Sequence, residues 1–400
     1  VTVAVHGAAA DARLRELRRA EFSGVEPGIF LNAASFGPLP ERTRAAVDAL
    51  ARQRQRANAF AAWDPEPDAA RARSAAARLI GASPDEIALG ANTSFGLHTA
   101  VQLAPAWCRR TGRDLRGSRV VVSDGEFPAN VVPWRGLRNA GVTLDVVPTD
   151  SDGAPDAAAL ARALEQDDAA VFALSAVQFA TGYRADLEAF GEICRERDIL
   201  FVVDAIQAAG IAPIDVRRAH VDVLASGGQK WLCAPFGSGF AYVRRELIAE
   251  LPPPVPGWLA TRAAEDFTSL LDYEAPLLDD ARRYETGSHA FQDVLGLATS
   301  VELILEIGVD AIRAHVASLL EPLRDWAASR PDVRSIGPGD PERRAGILCL
   351  RPPDAAAAHA ALSDAGVTCA LREGSLRFAP HMYNTAAEIE RVVTLLDSIV

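Results

Sequence analysis

The 400-residue sequence reads as an α/β protein: a mostly parallel sheet covered by helices, followed by a smaller α+β unit. Three observations predict this. Apolar runs of four to six residues recur, with helical stretches of about ten residues between most of them, the spacing of strand–helix–strand crossovers. Most of the runs are largely apolar, as strands buried on both faces are. The rhythm then breaks at the proline-rich Leu251–Pro256 and resumes in a different pattern.

In chain order, Ala9–Arg19 is an amphipathic helix, and Ile29–Gly37 follows a Gly/Pro-marked loop. Glu41–Arg56 is helical, opened by Pro40, whose fixed φ suits a helix start. Ile87–Leu89 is a short strand leading into a helix over Ser94–Leu103. Strands at Arg119–Ser123, Thr143–Val147, Ala170–Ser175 and Leu200–Asp204 alternate with helices at Ala129–Ala140, Asp156–Glu165 and Asp186–Glu196. Val221–Leu224 and Gly239–Val243 add two strands. From Leu251 to Arg283 the periodicity is weak. Helices follow at Gln292–Ile307 and Asp310–Ala328. The tail reads as strand Gly346–Leu350, helix Ala355–Ala365, strands Val367–Leu371 and Leu376–Phe378, and helix Ala386–Ile399. These elements divide into a large unit over 41–290 and a small one formed by 1–40 with 291–400.

Composition removes several function classes. Net charge is −12, with no run of five like charges, so a nucleic-acid partner is not expected. No apolar run reaches the ~18 residues of a membrane span. The first ten residues lack a basic region, so no signal peptide is expected. Cys108, Cys194, Cys233, Cys349 and Cys369 are scattered and odd in number, against a zinc site or a disulfide framework and in favour of the cytoplasm. The histidines are dispersed, without H-E-x-x-H, so no metal is expected. Of 41 basic side chains, 40 are arginine and one is Lys230. A position that keeps lysine against such a bias needs an amine that can lose its proton, which guanidinium cannot do.

Ligands in open α/β sheets bind beyond the carboxyl ends of strands, and the residues there are rich in chemistry. Asn92-Thr93-Ser94 follows one strand and opens a helix. Asp124-Gly125-Glu126-Phe127, Val177-Gln178, and Asp204 with Gln207 follow three more. Ser226-Gly227-Gly228-Gln229-Lys230-Trp231 follows a fifth. An amine, a carboxylate, amides, hydroxyls and an aromatic on one rim suit pyridoxal 5′-phosphate (PLP). That cofactor needs a lysine to anchor it as an imine, an acid on its ring nitrogen, and a helix start for its phosphate.

These segments resemble the class V aminotransferase superfamily of fold-type-I PLP enzymes, in the branch of isopenicillin N epimerase-like and cysteine desulfurase-like proteins. Val203-Asp204-Ala205-Ile206-Gln207 is similar to its D-x-x-Q strand end. Ser226–Trp231 with Gly237-Ser238-Gly239-Phe240 resembles its lysine turn. Tyr284-Glu285-Thr286-Gly287-Ser288, Ala129–Trp134 and Met382-Tyr383-Asn384-Thr385 resemble further segments, and Leu31–Pro38 looks most like the epimerase-like start. The resemblance implies that Lys230 forms the imine and shuttles the α-proton, and that Asp204 pairs with the ring nitrogen. It implies that Gln178 and Gln207 contact the phenolic oxygen, that Asn92, Thr93, Ser94, Ser226 and Gln229 surround the phosphate, and that Phe127 stacks on the ring. It places Arg377 on the substrate carboxylate, with Ser35 and Phe36 beside the substrate, and has Ser288 reach the phosphate of a partner subunit in a homodimer. His289, His381 and Arg372 stand next to these motifs as further substrate contacts.

Two departures narrow the activity. Phe127 stands where desulfurases carry histidine. The stretch Leu371–Arg377 is a tight turn without their nucleophilic cysteine, and Cys369 lies inside the preceding strand. The expectation is an enzyme acting at the α-carbon of an amino acid, epimerase-like or aminotransferase-like. A β-elimination or C–S lyase is the first alternative, and a non-catalytic protein of the same fold the second. A nicotinamide dehydrogenase is disfavoured, because no G-x-G-x-x-G follows the first strand.

Overall fold

The computed structural model describes residues 16–150 and 153–400. Its centre is a seven-stranded sheet in the order Ile87–Gly90, Gly239–Val243, Val223–Gly227, Leu200–Asp204, Ala169–Ser175, Arg119–Ser123, Thr143–Val147. Gly239–Val243 runs antiparallel to both neighbours, and all other pairs are parallel. The reason for the unbroken apolar runs is visible here. Phe172, Leu174, Phe201, Val203 and Leu224 enter one core, while Val171, Ala173, Leu200, Val202 and Val223 enter a second. Both faces of these central strands are therefore dry, whereas the edge strand Thr143–Val147 is partly exposed. The chain leaves Arg119–Ser123 for the sheet edge and returns on its other side to Ala169–Ser175. Such a reversal opens a crevice at the carboxyl ends of the strands.

A four-stranded antiparallel sheet follows, in the order Ala370–Arg372, Ser375–Phe378, Leu348–Arg351, Arg334–Ile336. The expected strand Val367–Leu371 divides at Cys369. Val367–Thr368 pairs with Ile29–Phe30, whereas Ala370–Arg372 pairs with Ser375–Phe378. The segment after Phe30 is tied across the molecule. Ala33 donates to the Ala379 carbonyl (3.0 Å) and Gly37 to the Gln229 carbonyl (2.8 Å). Gly37 has no room for a side chain, since a Cβ would lie 2.5 Å from the Lys230 carbonyl oxygen.

Several elements differ from expectation. Residues 16–21 are helical, and the rest of Ala9–Arg19 lies outside the described residues. Ala129–Ala140 is not an α-helix but two 3₁₀ segments, Pro128–Asn130 and Val132–Ala140. Pro133 and Gly136 account for this, because one removes a donor and the other carries the poorest helix propensity after proline. The helix Glu66–Ile80 has no counterpart in the sequence reading. Five of its eight buried residues are alanine, too weakly apolar to stand out. The helix Phe291–Ile307 packs on it and on Glu41–Gln55, so a division at residue 290 would cut through a shared helical layer. No helix among the described residues is long and apolar enough to cross a membrane.

Candidate active site

The helix Thr93–Arg110 begins at the carboxyl end of Ile87–Gly90. Asn92 caps it by accepting the Phe95 N–H (3.1 Å). A helix start presents unpaired N–H groups and a partial positive charge, the conditions an anion needs. Thr93 is buried there, yet its Oγ1 has no hydrogen-bond partner among the described residues. Gly227 keeps the place open: a Cβ on it would lie 2.4 Å from Gln229 Oε1 and 3.3 Å from Thr93 Oγ1. Thus Thr93 and Gln229 gather at one helix start, as the sequence suggested. Ser94 is half-buried on the same turn. Ser226 turns its hydroxyl to the Gly227 carbonyl (3.2 Å).

Asp204 closes its strand directly opposite Ser175 on one side and Ala225 on the other. Its carboxylate accepts the Ile206 N–H (2.9 Å). Burial pushes its pKa up to about 6, against the pull of that N–H and of Lys230. Lys230 is half-buried. Burial lowers its amine to about 8, Asp204 opposes this, and Arg377 and Arg372 add to it. The Lys230 Nζ lies 5.5 Å from the centre of the Phe127 ring, which meets Phe179 edge-on.

Arg377 is 2% exposed and has only neutral partners: it donates to the Phe179 carbonyl (3.0 Å) and to Ser35 Oγ (2.8 Å), and its Nε has none. Burial lowers its pKa to about 10. A buried guanidinium without a carboxylate is costly unless an anion joins it. Phe36 is exposed beside Ser35.

Some expected contacts are occupied by the protein itself. The Gln207 amide donates to the Ala34 carbonyl (2.9 Å) and accepts the Trp231 indole N–H (2.8 Å), which leaves one amide hydrogen for a ligand. His381 does not reach the substrate region as expected. It is fully buried, its ring bonds the Trp231 carbonyl (2.8 Å) and accepts the Met382 N–H (2.7 Å), and burial lowers its pKa to about 4. His289 is held by Glu285 (2.8 Å), which also binds Arg73 and the Leu89 N–H. All five cysteines are buried and unbridged. Burial raises the thiols of Cys349 and Cys369 to about 12 and those of Cys108, Cys194 and Cys233 as well. None has the exposure and low pKa of a nucleophile.

Glu126 is the residue the sequence reading passed over. It is buried with no cation beside it, and it gathers Ser175 N–H (2.8 Å), Gln178 Nε2 (2.6 Å), Asn130 Nδ2 (2.9 Å) and the Ser175 hydroxyl. Burial raises its pKa to about 7, and the neighbouring Asp204 charge adds to the rise. It therefore fixes Gln178 against the strand end that faces Asp204. Its position at a strand end was the available signal.

The class V aminotransferase model matches residues 56–392. The chain belongs to that family. An uncharacterized aminotransferase of Bacillus subtilis, YcbU, is 31% identical over 328 residues, 80% of this chain and 81% of its own length. The cysteine desulfurase from Thermococcus onnurineus superimposes with a TM-score of 0.83 at 23% identity, over 96% of this chain and 97% of its own. C-DES, a cystine C–S lyase, gives 0.83 at 20% identity over 96% and 99%, in a form with glycine linked to its PLP cofactor. The family member described here is a PLP-dependent enzyme. The orphaned Thr93 hydroxyl at a helix start, the Gly227 gap and the buried Asp204 carboxylate fit that cofactor.

The pKa values of Lys230 and Asp204 give an expected pH dependence for cofactor uptake. If Lys230 is the amine that PLP joins, capture requires its unprotonated form, and the rate is expected to rise with pH up to about 8 and then level. Below about 6, protonation of Asp204 is expected to weaken capture further, if it is the acid that meets the ring nitrogen. Stopped-flow absorbance of apoprotein mixed with PLP from pH 5 to 9 measures this; a rate flat across that range would contradict it.

Proposed function

We propose that this enzyme acts at the α-carbon of an amino-acid substrate, in an aminotransferase-like or epimerase-like reaction. The observation that carries the reading is Arg377, a buried guanidinium with no acid partner, within electrostatic reach of an amine that can lose its proton. A carboxylate fits the Arg fork bidentately. Ser35 and the Phe179 carbonyl hold that fork in place, so the substrate's α-carbon is presented toward Lys230.

Bound here, PLP would supply a cationic ring that draws electron density from the substrate's α-carbon. Asp204 would hold the ring nitrogen, Gln178 and the free hydrogen of Gln207 the phenolic oxygen, and Thr93, Ser94 and Gln229 the phosphate, with Phe127 against the ring. Lys230 Nζ, neutral above about pH 8, then takes the α-proton and later returns it. Its burial keeps water from competing for that proton. Glu126 keeps Gln178 aimed. None of these steps uses a thiol, in keeping with the five buried cysteines.

A C–S lyase reading also fits the absence of a reactive thiol. A lyase that releases its sulfur product has no need of a persulfide on its own cysteine, and the likeness to C-DES favours it. Incubation of the holoenzyme with amino acids in D₂O separates the outcomes. We expect α-proton exchange, with a keto-acid product only when a keto acid is added for transamination, or with inversion at the α-carbon and no added keto acid for epimerisation. Pyruvate and ammonia would indicate elimination instead. Arg377→Gln should cut exchange at subsaturating substrate by about tenfold to a hundredfold, the worth of one to two charge-assisted bonds, while the visible cofactor band persists. Normal exchange in that variant, or none with any amino acid in the wild type, would end the reading.

We also place the enzyme in a homodimer. Ser288 is exposed, and next to it a Cβ on Gly287 would lie 3.4 Å from the Trp258 indole nitrogen. Trp258 belongs to a segment that leaves Phe267, Leu271 and Tyr273 largely exposed, an apolar surface of the kind partners cover. Sedimentation at micromolar concentration should give twice the chain mass; a monomer mass would refute the dimer.

A further inference from the structure

The hairpin that carries Arg377 presents a second arginine to the same side. Ala370 lies opposite Arg377, and Arg372 lies opposite Ser375. Paired residues share a face, and alternation by two keeps all four on it, so Arg372 and Arg377 are diagonal neighbours. Across the other flank Arg351 donates to Ser375 Oγ (3.2 Å) and to the Glu373 carbonyl (2.7 Å), which pins the turn in this shape.

Arg372 has no comparable engagement. It is exposed, and its guanidinium bonds the carbonyl of the preceding residue, Leu371 (3.0 Å). Among the described residues neither it nor Arg377 forms an ion pair, in a chain whose acids outnumber its bases 53 to 41. Arg73 and Arg119, by contrast, each hold two carboxylates. Both hairpin arginines also bear on Lys230, whose amine each of them pushes toward the neutral form. Like charges at diagonal positions repel unless an anion comes between or beside them. The substrate's α-carboxylate answers Arg377 and leaves Arg372, two residue pairs nearer the turn, without an anionic partner.

We infer that the substrate is an amino acid with a second carboxylate on its side chain, and that Arg372 binds that group. The inference rests on the α-carbon reading above and adds the substrate class to it. It also gives the tight turn Leu371–Arg377 a role: a short connection holds Arg372 beside Arg377 with no loop between them.

The test titrates the holoenzyme with L-aspartate against L-asparagine and L-glutamate against L-glutamine, with L-alanine as a fifth ligand, and follows the visible cofactor band. In at least one pair the acid should bind at least tenfold tighter than its amide. Arg372→Gln should bring that ratio close to one. Arg372→Lys keeps the charge but not the fork and should retain part of the preference, so it carries the test if the Gln variant loses the band and with it the fold. Wild-type ratios near one in both pairs, or an undiminished ratio in Arg372→Gln, would overturn the subsite and leave the α-carbon reading standing. No response to any of the five ligands would remove both.

Discussion

Exchange of Lys230 for arginine should abolish α-proton exchange, by at least about a thousandfold, while the protein still folds. The charge is kept and the size nearly so; what is lost is the ability to give up a proton. Backbone contacts define the turn and do not depend on the side chain. The Lys230 carbonyl accepts the Cys233 N–H (3.0 Å), the Gln229 carbonyl accepts the Gly37 N–H, and the Trp231 carbonyl accepts the His381 ring N–H. Exchange in D₂O and far-ultraviolet circular dichroism, measured on Lys230→Arg and Lys230→Ala together, check both halves. Residual exchange clearly above one thousandth of wild type in either variant would contradict the assignment of the α-proton to this amine.

Asp204→Asn should lose cofactor affinity by about a hundredfold or more and yet make the apoprotein more stable. The sign follows from burial. The folded carboxyl has a pKa raised from 3.8 to about 6. Such a group contributes stability in its protonated form, and that contribution is lost as pH rises through about 6. At pH 8 the ionised carboxylate therefore weighs against the fold by up to about 3 kcal/mol, and asparagine removes that cost. Thermal unfolding of the two apoproteins should show the Asn advantage at pH 8 and its disappearance toward pH 4. Equal melting temperatures at pH 8 would mean that Asp204 is not a stored charge awaiting a cationic ring. The cost fits a site shaped for a ligand more than for the fold.

The strands and their polar ends were legible in the sequence for one physical reason. Each central strand serves two cores, so it is apolar without interruption, and any polar residue at its end stands out. That is how Asp204, Gln178 and the Lys230 turn were found. Glu126 also stood at a strand end, but its weight comes from four donors on Ser175, Gln178 and Asn130 that only the folded sheet assembles. The link between Ser35 and Arg377 spans 342 positions, beyond any local spacing rule. Gln207 and His381 show the opposite limit. Both carry the right chemistry beside the right motif, and each has part of its hydrogen-bonding capacity taken by Trp231, a residue whose own demand for partners the sequence did not reveal. The alanine stripe of Glu66–Ile80 escaped notice because close packing, not hydrophobicity, gives it its value.

One property of the composition makes the central claim directly measurable. The chain has a single lysine, so an amine-linked cofactor has one side chain to join. The protein should be incubated with PLP, reduced with borohydride, and weighed intact. The expected result is a yellow protein that on reduction gains one phosphopyridoxyl group per chain (PLP less one water plus two hydrogens), mapped by digestion to Lys230 and absent from Lys230→Ala. A colourless protein of unchanged mass, or a label found only at the terminal amine, would contradict it.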